Sequence, residues 1–145
     1  MEKKLIRSFE DLIVWQKAIE FVTEVYLVTN QGELKRDFGL RDQMRRAAVS
    51  IPTNIAEGFE RASRKEYLLF LNIAKGSAGE TRSLFRVALE IGYFSKETHD
   101  HLRERALTTS RYLFNQIRSI KSAPTTLVTF RPFYPFPFPL LPLFR

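Results

Sequence analysis

The sequence predicts an all-α protein: an antiparallel up-down four-helix bundle with a Pro/Phe-rich, non-helical C-terminal tail. Apolar residues recur at helical spacing in four segments of the first 121 residues, which indicates four amphipathic helices. These segments contain one proline, Pro52, whereas the other six of the seven prolines follow residue 123. The breaks between the segments are short, and short connections make consecutive helices antiparallel.

The first helix is predicted over residues 11–30, with Ser8 and Asp11 resembling a capping box at its start. Two neighbouring apolar stripes cover about half of its circumference at ~100° per residue. One stripe consists of Leu12, Trp15, Ile19, Val22 and Tyr26. The other consists of Val14, Ala18, Phe21, Val25 and Val28. One bundle contact needs a narrower apolar face, so we expect a second buried contact for this helix.

The other three helices are predicted over residues 40–58, 64–92 and 96–121. Pro52 lies inside the second of these helices and should kink it near Ala48. A capping box of Ser63 and Glu66 marks the start of the third helix, and the fourth begins after Ser95. The bundle is therefore expected to occupy residues 1–122.

Residues 123–145 form the predicted tail, which holds five of the thirteen Phe and six of the seven Pro. Such a segment cannot form a helix or an interior strand, and polyproline II or irregular structure is expected. The sequence leaves three alternatives open for the tail. It could fold back on the bundle, dock a partner, or remain a loosely tethered extension.

Composition limits the location and the partners of the chain. The absence of cysteine excludes disulfides and thiolate metal sites. There is no secretory signal and no apolar run of the ~20 residues that span a membrane, so the expected location is the cytoplasm. The net charge of +7 favours polyanions such as nucleic acid, although a soluble, self-repelling surface would also explain it.

Polar residues on one side of the second helix form a candidate structural network with the third helix. The second helix places Arg46, Ser50, Asn54 and Glu57 on this side, and the third helix offers Ser77 and Glu80. The predicted network consists of Arg46, Asn54, Glu57 and Glu80. A functional alternative makes Glu57 and Glu80 an acid/base pair. Because no nucleophile stands beside a base in the sequence, we favour the structural role, predict no catalytic residue and do not expect an enzyme.

No metal ion or other cofactor is predicted. Carboxylates of a bundle hold two metals when Glu-x-x-His occurs on two helices, but Lys96 and Thr98 stand three residues before His99 and His101. Both histidines are therefore expected on the surface. Residues 76–79 are glycine-rich but lack the Lys-Ser/Thr that completes a phosphate loop.

Basic residues are concentrated in residues 35–65 and 103–121, each with four more basic than acidic side chains. The predicted phosphate-binding residues are Arg41, Arg45, Arg61, Arg64 and Lys65, with Arg111 and Arg118 as second choices. Binding would be electrostatic and would show little sequence preference. No aromatic platform flanks these residues in the sequence, so base stacking is not expected to dominate. Solvated helix faces are the alternative interpretation, because no recognised nucleic-acid motif accompanies the clusters.

Three ordered motifs resemble the bacterial 23S rRNA-intervening-sequence proteins. They are residues 9–18 (FEDLIVWQKA), 38–58 (FGLRDQMRRAAVSIPTNIAEG) and 70–80 (FLNIAKGSAGE). The resemblance covers about residues 8–121. It departs from the family at Gln31 and Gly32, where Phe-Pro is frequent, and in the Pro/Phe tail.

The resemblance implies an antiparallel four-helix bundle that assembles into a ring-like homopentamer. A related branch consists of accessory proteins of diversity-generating retroelements, which are basic pentamers that bind nucleic acid and a reverse transcriptase. The first hypothesis is therefore a non-enzymatic oligomer that binds RNA or DNA, with a reverse transcriptase as partner if the context is a retroelement. The alternative is a protein–protein interaction scaffold with no nucleic-acid role.

Overall fold

The computed structural model describes residues 6–124, and every regular element in this range is helical. The four helices are α1 (Ile13–Val28), α2 (Phe38–Glu60), α3 (Arg64–Glu90) and α4 (Lys96–Ser122). Short 3₁₀ turns at Phe9–Asp11 and Glu33–Lys35 precede α1 and α2. These elements confirm the predicted all-α bundle. The Pro/Phe run of the predicted tail lies outside the described residues.

Side-chain caps explain where α2, α3 and α4 begin. Asp37 accepts a hydrogen bond from the backbone N–H of Leu40 at 3.0 Å, so α2 starts two residues before the predicted position. The hydroxyl of Ser63 accepts from Glu66 N–H at 3.4 Å, as the predicted capping box requires. Ser95 caps α4 in the same way.

The first helix begins at Ile13, two residues later than predicted. Residues 9–11 form a 3₁₀ turn instead, and the Asp11 carboxylate accepts from the backbone N–H of Ser8 at 3.2 Å. The Ser8 capping box is therefore real, but it caps this turn rather than α1.

Helix α2 continues through Pro52 and past Gly58 to Glu60. The predicted end at residue 58 is thus two residues short, and the kink near Ala48 stays a prediction. Gly58 marks a very close approach of α2 to α3. A Cβ atom at this position would lie 2.6 Å from the Cβ of Phe70, so only glycine fits without a shift.

The helices pack in chain order around the bundle, with α1 against α2 and α4, and α3 against α2 and α4. At one end, which we call the Asp37 end, α1 and α3 finish and α2 and α4 start. There the Tyr93 hydroxyl donates to the Asp37 carboxylate at 3.2 Å. At the opposite end, the Arg64 end, the α2–α3 turn lies beside the end of α4.

The core contains large side chains from all four helices, including Phe21, Met44, Phe85 and Leu113. Of the two apolar stripes of α1, the bundle buries the one that includes Val14, Ala18, Phe21 and Val25. In the other stripe Ile19 and Tyr26 keep 38% and 44% of their surface exposed. Helix α1 therefore retains an apolar edge that the described chain does not cover.

Candidate functional site

The polar cluster between α2 and α3 is centred on two serines. The Ser50 and Ser77 hydroxyl oxygens lie 2.9 Å apart, and Asn54 Nδ2 donates to the Ser50 hydroxyl at 2.9 Å and to its carbonyl at 2.7 Å. The two hydrogen bonds of Asn54 both stay within α2. The contact with α3 is made by Ser50 and by Ser77, which is buried.

The other members of the predicted network are exposed. Glu57 is half-exposed and pairs with Arg61 at 2.8 Å, which raises the pKa of the Arg61 guanidinium. Among the described residues, Arg46 and Glu80 have no hydrogen bond and no ion pair. Both lie within one turn of the Ser50–Ser77 contact, so they stand at the same level on adjacent helices.

The distance between Glu57 and Glu80 argues against an acid/base pair. Glu80 lies at the level of Arg46, and Glu57 is eleven residues further along α2, about 16 Å at 1.5 Å per residue. Two carboxylates that far apart along the bundle do not converge on one reacting bond.

The two predicted phosphate-binding residues at the Asp37 end are held by intramolecular contacts. Arg41 Nε donates to Asp42 at 2.9 Å, and the guanidinium lies 4.7 Å from the centroid of the Phe38 ring. Arg45 Nε donates to the Thr29 hydroxyl at 2.8 Å, and its guanidinium lies 4.5 Å from the Tyr26 ring centroid. These contacts restrict both arginines.

At the Arg64 end, two of the three predicted residues are also engaged. Arg61 pairs with Glu57 and lies 3.5 Å from Glu66. Arg64 donates to the carbonyls of Ile120 at 2.7 Å and Lys121 at 3.0 Å, so it caps the end of α4. Lys65 is exposed and has no ion pair with a described residue.

Helix α4 presents a row of basic side chains over residues 103–121. At ~100° per residue, five side chains of this row fall within ~80° of one another. They are Arg103, Arg111, Phe114, Arg118 and Lys121. The acidic residue at the edge of this row is Glu104, which pairs with Arg111 at 2.7 Å.

Helix α3 extends this basic surface across the groove. Lys75 Nζ lies 5.5 Å from the centroid of the Phe114 ring, which shows that Lys75 faces α4. Arg82 stands seven residues further, about two turns, and shares that face. We define the α3–α4 basic surface by its five cations without an ion pair to any described residue: Lys75, Arg82, Arg103, Arg118 and Lys121.

The expectation that no aromatic platform flanks the predicted arginines is wrong. Four of them lie over rings. Arg45 of α2 lies over Tyr26 of α1, and Arg61, which follows α2, lies over Phe70 of α3. Sequence neighbours could not show such tertiary contacts. Within α4, the Arg118 guanidinium lies 5.9 Å from the Phe114 centroid, and a spacing of four residues could have indicated this pair.

The two histidines differ in environment. His99 is buried, contrary to expectation, and its Nδ1 lies 2.9 Å from the Asp100 carboxylate. His101 is exposed and contacts Glu24 of α1. Within residues 6–124, His, Cys, Asp and Glu form no group of three or more that could hold a metal ion. Within the same residues, no helix is both long and apolar enough for a membrane crossing.

An apolar row lies on the α2 side of α3, away from the basic surface. Its members are Leu69, Ile73, Val87 and Ile91. Each keeps at least 42% of its surface exposed, which is unusual for four aligned aliphatic side chains. Glu80 stands on the same face of α3, between Ile73 and Val87, and Arg46 lies at its level on α2.

Comparisons with known proteins agree with this architecture. A family model described as 23S rRNA-intervening sequence protein matches residues 10–115. No curated protein sequence matches the chain. The chain is similar to the crystal structure of a protein with unknown function from the S23 ribosomal protein family of Bacteroides thetaiotaomicron, with a TM-score of 0.66 and 25% identity over 73% of this chain and 96% of that chain. Neither description names an enzymatic activity. Because the matched residues include the first three helices and most of α4, the chain belongs to the 23S rRNA-intervening sequence protein family.

Proposed function

We propose that this protein is a non-enzymatic, oligomeric nucleic-acid-binding protein that contacts RNA or DNA phosphates with little sequence preference. The observation that carries the proposal is the α3–α4 basic surface. Its five cations have no ion pair with a described residue, so phosphates would meet no competing carboxylate. Arginine suits this role because its planar fork can hold a phosphate bidentately.

These intramolecular contacts change the ranking of the proposed phosphate-binding residues. Arg41, Arg45, Arg61 and Arg64 already donate to groups within the chain, so binding a phosphate would cost them those hydrogen bonds. We therefore place Arg118 and its neighbours on α4 first. Lys65 joins them, because it adjoins Arg64, which contacts the end of α4. Arg111 is secondary because Glu104 neutralises it.

The test is the salt dependence of binding to labelled RNA and DNA by fluorescence anisotropy. On duplex DNA the slope of log affinity against log salt should be about −0.9 for each phosphate neutralised. Arg118→Glu combined with Lys121→Glu should remove most of the affinity at low salt. Lys35→Glu combined with Arg36→Glu is the matched control, because it changes the net charge equally at the Asp37 end.

Two outcomes would overturn the proposal. One is the absence of binding at low salt. The other is equal loss of affinity in the two charge-reversed variants, which would mean that net charge alone, rather than the α3–α4 basic surface, attracts nucleic acid. Arg41→Glu combined with Arg45→Glu tests the other predicted surface in the same assay.

The second candidate function is a protein–protein interaction scaffold without a nucleic-acid role. The exposed apolar row on α3 favours it, since its two pairs, Leu69 with Ile73 and Val87 with Ile91, expose more apolar surface than single scattered residues do. Under this alternative the basic surface serves solubility, and the wild-type protein would bind neither RNA nor DNA at low salt.

We propose self-association under either function. The apolar row on α3 and the uncovered edge of α1 with Ile19 and Tyr26 supply surface for another copy of the chain. The number of copies, a homopentamer, follows only from the resemblance to the family. A ring would repeat a modest basic patch, and the repeats would act together through high effective concentration. A monomeric mass in light scattering at micromolar concentration would contradict this proposal.

A cytoplasmic location and a reverse transcriptase as partner are further proposals. The second rests on the resemblance to the retroelement accessory branch. Genes adjacent to this one would test it directly, because a retroelement encodes its reverse transcriptase nearby. A purified reverse transcriptase that failed to co-elute with the protein would contradict the partnership.

A further inference from the structure

We propose that Phe114 is a base-stacking platform, so that the α3–α4 basic surface prefers single-stranded over duplex nucleic acid. This inference rests on the proposed nucleic-acid binding and adds a substrate class to it. Proteins that bind single strands combine a basic groove with aromatic rings on which unpaired bases stack. In a duplex the bases are paired and stacked inside the helix, so no unpaired base is available to stack on such a ring.

The exposure of Phe114 is the first observation. Half of its surface, 50%, is accessible, and the cations next to its ring are Lys75 and Arg118. The adjacent core positions of α4, Leu113 and Ile117, are buried, so the bundle does not need the Phe114 ring for its core.

The cations around the ring are the second observation. Lys75 Nζ and the Arg118 guanidinium lie 5.5 and 5.9 Å from the ring centroid, near the ~6 Å limit of a cation–π contact. They come from different helices, and both lie over the ring, so a stacking base would displace them from it. Neither has a carboxylate partner among the described residues. Once displaced from the ring, Lys75 and Arg118 could contact the phosphates on either side of the base without losing an ion pair to a described residue.

A second exposed aromatic residue supplies a matched comparison. Phe38 at the Asp37 end is 63% exposed and also lies under an arginine, Arg41. However, Arg41 is paired with Asp42 and donates to the Lys35 carbonyl at 3.0 Å. The two rings are alike in exposure and differ in whether the adjacent cations are free.

The experiment measures the affinity of the full chain for a labelled oligothymidylate of about 12 nucleotides, a length within the range of known single-strand sites, and for a duplex of equal length. Phe114→Ala should weaken oligothymidylate binding on the order of tenfold and change duplex binding less than about twofold. Phe38→Ala should change neither. Circular dichroism melting checks that both variants fold.

A second readout reports stacking directly. The chain has one tryptophan, Trp15 on α1, outside the α3–α4 basic surface. In Phe114→Trp, oligothymidylate should quench the added fluorescence and the affinity should be retained. If Phe114→Ala leaves single-strand affinity unchanged, or lowers single-strand and duplex affinity equally, the stacking role is wrong while salt-dependent binding still supports the proposed function. If the wild type binds neither probe, the proposed function itself fails.

Discussion

Single residues determine how closely the helices can approach, and Gly58 is the clearest case. We expect Gly58→Ala to lower the free energy of unfolding by about 1–3 kcal/mol, because the new methyl group would overlap the base of the Phe70 side chain. Gly76→Ala is the control: nothing lies within 4 Å of its Cβ position, so the substitution should stabilise the helix by ~0.5–1 kcal/mol. Urea unfolding followed by circular dichroism measures both, and a stabilised Gly58→Ala variant would contradict the close approach.

Glu24 makes the contact between α1 and α4 dependent on pH. Its carboxylate accepts from Arg105 Nε at 2.7 Å and contacts His101 Nε2 at 2.5 Å. Partial burial alone would raise the pKa of Glu24, but the hydrogen bonds from His101 and Arg105 outweigh it and lower the pKa below the ordinary 4.5. The contribution to stability is therefore present above that ordinary pKa and is lost as the pH falls through the lower folded-state value.

We therefore expect Glu24→Gln to melt at a lower temperature than the wild type at neutral pH, with the difference shrinking below about pH 4. Melting curves at a series of pH values give the result. Glu20→Gln is the control, because Glu20 is half-exposed, pairs with Lys17 of its own helix at 2.9 Å and lies 3.8 Å from Arg105. A difference that stays constant down to acidic pH would show that the charge of Glu24 does not stabilise the fold.

At the scale of helices, Arg64 links the start of α3 to the end of α4. Its hydrogen bonds to the Ile120 and Lys121 carbonyls satisfy acceptors that have no partner within the helix. We expect Arg64→Ala to cost about 1–2 kcal/mol and to accelerate hydrogen exchange in the last turn of α4. Lys65→Ala, next to it but without such contacts, should do neither. If hydrogen exchange is unchanged in Arg64→Ala, Arg64 does not stabilise the last turn of α4.

The helices were largely predictable from the sequence, and the differences have local causes. Ser63 and Ser95 gave the correct starts because their caps are formed within four residues. The prediction starts α2 two residues late, although Asp37 is a favourable N-cap residue. It ends α2 two residues early, because glycine is typical of helix ends, whereas Gly58 allows the close approach to α3.

The candidate site was less predictable because it depends on packing. The basic row of α4 follows from helical spacing, but its union with Lys75 requires the position of α3. Similarly, nothing local to Arg64 indicates that it contacts residues 120 and 121 rather than solvent. His99 looked like a surface residue because its neighbours are polar, and only the fold buries it.

At the scale of the whole molecule, Arg46 and Glu80 bear on the proposed assembly. They stand at one level beside the apolar row, and neither has an intramolecular partner in residues 6–124. We expect Arg46→Glu to weaken the oligomer, because the carboxylate introduced at position 46 of one copy would repel Glu80 of the next. The charge-swapped Arg46→Glu, Glu80→Arg variant should restore it. Light scattering measures the mass of the oligomer. If Arg46→Glu leaves this mass unchanged, Arg46 and Glu80 are not part of the interface.

A substitution of Glu57 provides a second test of the proposed assembly. Within one subunit its ion pair with Arg61 is half-exposed, and such pairs contribute ~0–1 kcal/mol. Glu57→Ala should therefore change the melting temperature of an isolated subunit little. A large loss, or dissociation of the oligomer, would require that another copy buries Glu57, where removing one partner costs ~3–5 kcal/mol.

The packing order of the helices also predicts how fast the chain folds and which helix contact forms last. Each of the contacts α1–α2, α2–α3 and α3–α4 joins sequence neighbours, and chains rich in local contacts fold in microseconds to milliseconds. The α1–α4 contact must instead close a loop, since Glu24 and Arg105 are 81 residues apart. We expect this closure after the transition state. Substitutions in the α1–α4 contact should then accelerate unfolding and leave the refolding rate almost unchanged.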